Sequence, residues 1–163
     1  MHTCLELAYK AKIDFVLIQE PWIAEDNIGT VSHPAYIAIL PPRKENIRPR
    51  VAIYARKDTK YSYTARPDII TNLDILILQI SGPGLEPFQL INLYNEKDLE
   101  NDNGVYIIER SLQYLKLEKR IILYSDFNAY HSWWNSTISN PTRCTELIPW
   151  LERYSFELKS NED

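Results

Sequence analysis

An apolar run, Ile121-Ile122-Leu123-Tyr124, breaks off at Asp126 and Asn128 and passes into an aromatic-rich stretch, Ala129-Tyr130-His131-Ser132-Trp133-Trp134. A short β-favouring run that stops this sharply reads as a buried strand. Asp126 and Asn128 lie two apart, so an extended backbone points both side chains to the same side. At the carboxyl end of a buried strand, that side is where an open α/β sheet keeps its ligand crevice. A carboxylate and an amide so placed can hold a hard cation, orient a water or bind a phosphate oxygen. Taken alone, an Asp-x-Asn tripeptide is more often a polar turn, because both residues are turn formers.

The preceding chain alternates between helical and extended patterns. Thr3-Cys4-Leu5-Glu6 fits a capping box, with Thr3 as N-cap and Glu6 returning to it. It predicts a helix to about Lys12 that buries Cys4, Leu7, Ala8 and Ala11. Asp14 to Gln19 predicts a short apolar strand closed by Glu20-Pro21-Trp22. Glu20 leaves that strand just before a proline that cannot continue the ladder, a position from which a carboxylate faces a crevice. The plainer reading of Glu20 is a solvated strand-end residue. Ala24 to Pro34 reads as a loop and Ala35 to Leu40 as a strand stopped by Pro41-Pro42. Arg43, Lys44, Arg48 and Arg50 then make a basic loop. Such a run can meet DNA phosphates, but it is more often a solvated face.

Val51 to Arg56 and Leu73 to Ile80 are β-rich, separated by a turn-prone stretch from Lys57 to Asn72. Ser81-Gly82-Pro83-Gly84 is a turn, so Leu76–Ile80 and Phe88–Leu93 predict an antiparallel hairpin. Its second strand delivers Tyr94 and Asn95; a phenol there is usually a packed one with a satisfied hydroxyl. Asp98 to Gly104 is a polar linker. Val105, Ile108, Leu112 and Leu115 keep helical spacing to about Leu117. Cys144, Leu147, Ile148 and Leu151 mark a last helical stretch, which Pro149 is expected to kink or end. Helix followed directly by buried strand implies α/β layers, and without an internal repeat or composition shift residues 1–163 read as a single domain.

At 163 residues and 45% hydrophobic, the chain has the material for one domain with a core. Eleven Tyr and four Trp suit either such a core or surfaces that stack on bases. A net charge of −4 argues mildly against a general nucleic-acid coat. A nuclease remains compatible with it, since carboxylates gathered for a cation lower the net charge. Cys4 and Cys144 lack metal-ligand spacing and read as free thiols of a reducing compartment. With no signal-peptide pattern and no run of membrane-spanning length, the expectation is an intracellular, soluble protein, cytoplasmic or nuclear.

Asp126-Phe127-Asn128-Ala129, with His131 and Trp134 behind it, resembles the GDFNA-x-H-x-x-W block of the endonuclease/exonuclease/phosphatase superfamily. It is most similar to the endonuclease domain of LINE-type (non-LTR) retrotransposons, especially fungal ones. Asp14 to Trp22 resembles that family's strand ending in Gln-Glu-Pro-Trp, Arg48 to Tyr54 its RPRVA strand, and Leu90 to Asn95 its I-N-x-Y strand. The resemblance implies a two-sheet α/β sandwich in α/β/β/α layers. It also implies hydrolysis of DNA phosphodiesters with Mg²⁺ or Mn²⁺. On the same footing, Glu20 is the metal-binding glutamate and Asp126 orients or deprotonates the attacking water. Asn128 and Tyr94 steady the phosphate, and no membrane is involved.

Departures from the family pattern carry expectations of their own. The family domain opens with a strand bearing an asparagine and closes with a Ser-Asp-His block. This chain opens at the first helix, and nothing after Glu157 supplies the histidine. His131 reads as a loop or packing residue. Ser125 stands where the family has glycine, a costly change if that position needs φ > 0. These departures predict an incomplete domain, truncated at both ends, with weak or absent catalysis. Exposed sheet edges would favour self-association. Two other readings stay open: a non-catalytic nucleic-acid- or protein-binding relic of the same fold, and a small phosphate-ester phosphatase. The Gln-Glu-Pro-Trp and Phe-Asn-Ala-x-His patterns lean away from the phosphatase.

Overall fold

The computed structural model describes residues 1–25, 29–42, 44, 47–95, 120–127 and 141–157. Two compact units are distinguished among them. One holds the chain through Tyr94 together with the strand ending at Ser125; the other holds Asn95, Asp126, Phe127 and the last helix.

The first unit is built around Val51–Arg56 (β3), whose residues Val51 to Ala55 are all fully buried. A strand covered on both faces must carry apolar side chains in both directions, and this run does. β3 pairs antiparallel with Phe15–Gln19 (β1), Leu17 opposite Ile53, and with Tyr36–Ile39 (β2), Ala38 opposite Tyr54, giving the order β1-β3-β2. The second sheet has the order β4-β5-β6-β7, from Ser62–Ala65 (β4), Ile75–Gly82 (β5), Leu85–Tyr94 (β6) and Ile121–Asp126 (β7).

Side-chain alternation along β3 sorts its two faces. Val51 and Ile53 pack with Leu76, Leu78, Ile80 and Leu90 of the second sheet, which makes the core between the sheets. Ala52 and Tyr54 face the other way, toward Leu5 and Ala8 of His2–Lys10 (α1). Each fully buried Leu, Ile or Val of this kind contributes roughly 1.5–3 kcal/mol. The two-sheet α/β sandwich implied by the sequence is therefore present, with α1 on the outer face of the first sheet. The helix expected over 105–117 lies outside the described residues. No described helix is long and apolar enough to cross a membrane.

The expected hairpin forms with Ile80 opposite Phe88 and Leu76 opposite Asn92. Its turn is Pro83-Gly84, with Gly84 at φ 72°. A proline followed by a residue with positive φ is the signature of a type II turn. Ser125 lies inside β7 and is not among the described residues with positive φ, so serine in place of glycine carries no backbone cost there.

Several expectations need correction. α1 starts two residues earlier than the capping box required; its N-cap is Met1, without a side-chain cap. Glu6 does not return to the helix start, because its carboxylate accepts a hydrogen bond from buried His33 (Nε2–Oε2 3.2 Å). Leu5 is the buried residue of α1, with Met1 and Ala8 partly buried beside it; of the expected Cys4, Leu7, Ala8 and Ala11 only Ala8 lies on that face, and Leu7 is 61% exposed. The stretch 57–72 contains β4, whose Tyr63 and Ala65 reach the core between the sheets. In the second unit, Pro141–Arg153 (α2) runs through Pro149 without ending. A proline there forfeits one ladder bond, and Leu147, Trp150 and Leu151 keep one buried stripe across it. Phe156 stacks on Trp150 at 5.4 Å and closes the helix end.

Candidate active site

At the exit of β1 the chain turns out of the ladder at Glu20, whose φ of 47° is unusual for a residue with a Cβ. The left-handed region costs such a residue about 1–2 kcal/mol. The turn is held by the Glu20 N–H, which donates to the Arg50 carbonyl at 2.8 Å, and Pro21 prevents any further pairing along that edge. The Glu20 carboxylate is thus presented to solvent. Its Oε1 accepts a hydrogen bond from the Tyr94 hydroxyl at 3.1 Å.

Tyr94, the last residue of β6, is half-buried, and its N–H donates to the Asp74 carbonyl at 2.9 Å. Asp74 is 8% exposed and accepts both prongs of Arg50, Nε to Oδ1 at 2.6 Å and Nη2 to Oδ2 at 2.7 Å. Fork-to-fork pairs of this kind are the strong, directional ones. The Arg50 guanidinium also lies over the Tyr94 ring, 5.1 Å from its centroid, within cation–π range. Arg50 therefore does not belong to the solvated basic loop in which the sequence placed it. Lys44 and Arg48 are exposed as expected, and Arg43 lies outside the described residues.

Beneath these strand tips two amides join the sheets. Asn92 is fully buried; its Nδ2 donates to the carbonyls of Ile18 and Ala52, both at 3.0 Å. Gln19 Nε2 donates to the Leu93 carbonyl at 2.8 Å and lies 3.5 Å from Asn92 Oδ1. Buried polar groups must be paired, so these bonds fix β1 and β3 against β6 directly behind Glu20 and Tyr94. Sequence reasoning named the Leu90–Asn95 strand but assigned nothing to Asn92. The usable signal was an amide inside an otherwise apolar run.

In the second unit, buried Asn95 holds the chain where β7 ends. Its N–H donates to the Asp126 carbonyl at 3.0 Å and its Nδ2 to the Phe127 carbonyl at 3.1 Å. The Asp126 residue is exposed. Of the site residues expected from sequence, Glu20 and Tyr94 are brought into contact and Asp126 stands at the tip of β7. Asn128 lies outside the described residues, as do His131 and Trp134.

No group of three His, Cys, Asp or Glu side chains poised to hold a metal occurs among the described residues. The donor chemistry nonetheless fits a hard cation. Mg²⁺ keeps several waters and is typically held by one or two carboxylates plus substrate phosphate oxygens. An exposed carboxylate such as Glu20 can supply the protein's share.

Residues 88–163 match the family described as endonuclease-reverse transcriptase. No curated protein matches the chain. Among solved structures it is similar to the endonuclease domain of TRAS1, a telomere-specific non-LTR retrotransposon. The identity is 20% and the TM-score 0.72, over 98% of this chain and 67% of that one. At that identity the likeness establishes the shared fold, the two-sheet sandwich that the four sequence blocks implied.

Proposed function

We propose that this chain is a phosphodiester hydrolase that nicks DNA with the help of Mg²⁺ or Mn²⁺, as an endonuclease of the retrotransposon kind. The observation that carries the proposal is Glu20. It is turned out of its strand at φ 47°, exposed, and met by the Tyr94 hydroxyl. A backbone cost of this sort persists only where the surrounding structure enforces it, and such costs gather at functional sites. The family match over residues 88–163 and the shared fold support the same reaction class.

When bound, the cation supplies charge neutralisation at the phosphate. Glu20 is the residue that holds it. Tyr94, its ring backed by the Arg50 guanidinium, offers its hydroxyl to a phosphate oxygen. Asp126, exposed at the tip of β7, orients the attacking water and takes its proton, and Asn128 steadies the phosphate.

Supercoiled plasmid tests the proposal. Nicked circles are expected with Mg²⁺ and none with excess chelator. Glu20→Gln removes the ligand charge at constant size and is expected to slow nicking by about 100-fold or more, beyond the loss typical of a ligand's hydrogen-bond partner. Nicking that persists in chelator, or that Glu20→Gln leaves unchanged, contradicts the proposal.

A further inference from the structure

Arg50 touches both members of the Glu20–Tyr94 pair, each through a different group. Its carbonyl accepts the Glu20 N–H at 2.8 Å, and its guanidinium lies 5.1 Å from the Tyr94 ring centroid. Both prongs of the guanidinium are engaged by Asp74, at 2.6 and 2.7 Å. The Asp74 carbonyl in turn receives the Tyr94 N–H at 2.9 Å, and the Tyr94 hydroxyl returns to Glu20 at 3.1 Å. The contacts close a ring that runs from the Glu20 backbone through Arg50, Asp74 and Tyr94 to the Glu20 carboxylate.

We propose that Arg50, held by Asp74, is the positioning residue that sets the Tyr94 hydroxyl against the Glu20 carboxylate. Its use in catalysis rests on the nuclease reading above; the geometry of the ring does not. A phosphate-binding role suits Arg50 poorly. Its side chain is 27% exposed and its fork faces a carboxylate whose own side chain is 12% exposed. A purely stabilising role explains little either, because replacing a desolvated ion pair by apolar groups of similar volume is often neutral for stability. What such a pair fixes well is direction. Pairing through the Nε and Nη2 edge fixes the guanidinium against the carboxylate, and in that orientation it lies on the tyrosine ring. Lysine has no fork and cannot satisfy both constraints.

The test follows the Tyr94 ζ-carbon by NMR in the full chain labelled with ¹³Cζ-tyrosine, the resonance being assigned by its loss in Tyr94→Phe. In the wild-type background, Glu20→Gln is expected to shift this resonance, because the phenol donates to that carboxylate. In Arg50→Met and Asp74→Asn backgrounds the same substitution is expected to leave it in place, and Arg50→Lys is expected not to restore the response. Tyr36 and Tyr54, packed on the α1 side of the first sheet, report whether each variant is folded. Should Arg50→Met lose their resonances, the isosteric Asp74→Asn carries the test. A Tyr94 resonance that responds to Glu20→Gln equally with and without the Arg50–Asp74 pair overturns the proposal.

A second readout is the plasmid assay, in which Asp74→Asn is expected to lower kcat by roughly 10–100-fold with KM for plasmid unchanged. A rise in KM at constant kcat assigns Arg50 to substrate binding and overturns the proposal. An NMR response as expected in a wild-type chain that does not nick plasmid leaves the positioning role standing and contradicts the nuclease reading instead.

Discussion

Among the described residues, the carboxylates of Glu6 and Glu20 each accept a hydrogen bond from a ring-bearing side chain, Glu6 from His33 and Glu20 from Tyr94. At the α1 corner the ring is the buried partner. His33 is 5% exposed, its Nδ1 accepts the Ala35 N–H at 3.2 Å, and its Nε2–H is left to donate to Glu6. The hydrogen bond from His33, helped by Lys10, holds the Glu6 carboxyl below its ordinary value. His2, Tyr9 and Tyr36 surround the imidazole at 5.5–6.1 Å. Both carboxylates are exposed, but at the tip of β1 the backbone adopts a costly conformation, φ 47°, to present Glu20. A cleft of about 630 Å³ lies at the His33 corner, yet concavity is the weaker guide here. The difference teaches that a carboxylate–ring pair becomes a candidate site where the fold sacrifices stability to display it.

The largest stability effect expected is at Asn92, which secures only the Glu20 end. Asn92→Ala strips the buried carbonyls of Ile18 and Ala52 of their donor and is expected to cost about 2 kcal/mol or more, read from the urea midpoint. Amide exchange should quicken at Glu20, whose N–H is held by the Arg50 carbonyl, and stay slow at Ala35. Equal acceleration at both ends would erase the contrast between them.

Glu20→Gly is expected to stabilise the chain by about 1 kcal/mol, because glycine adopts positive φ without strain, while abolishing nicking. Glu6→Gly, inside α1, is expected to destabilise by a similar amount, about 0.5–1 kcal/mol. The two thermal melts should therefore move in opposite directions. A lower Tm for Glu20→Gly contradicts the account of its backbone.

Smaller effects appear on titration. Burial raises the Tyr54 and Tyr36 phenols above the ordinary 10.0. Their contribution is whole below that value and is lost as pH rises through the raised folded values. Tyr54→Phe should therefore flatten part of the alkaline loss of stability seen by circular dichroism. Glu6 works in the opposite sense. Its folded value is depressed, so its contribution is present above the ordinary 4.5 and disappears as pH falls through the lowered value. A slight rightward shift of the acid midpoint in Glu6→Gln is the smallest change expected.

Much of the architecture was legible in the residues. β3 occupies Val51–Arg56, as its unbroken apolar run required, and the hairpin register follows from the Pro-Gly turn between two β-favouring runs. Glu20 and Tyr94 were identifiable as strand-end groups. Their contact was not, because a pairing 74 residues apart depends on how two sheets pack. Arg50 sat among loop cations in the sequence, and only tertiary structure supplies the Asp74 that turns it inward. The expected stripe of α1 holds Ala8 but is otherwise misplaced, because Cys4 and Leu7 read as apolar signals whereas the sheet takes Leu5. β4 escaped because Ser62-Tyr63-Thr64-Ala65 alternates without being markedly hydrophobic, and its burial comes from β5.

Direct titration of Mn²⁺, followed by the paramagnetic resonance of the free ion, tests whether Glu20 is the cation's anchor. The wild-type chain and Glu6→Gln are expected to deplete the free-ion signal alike, and Glu20→Gln to leave it close to that of buffer. Equal depletion by Glu20→Gln and the wild type would contradict the assignment of Glu20 as the metal-holding residue.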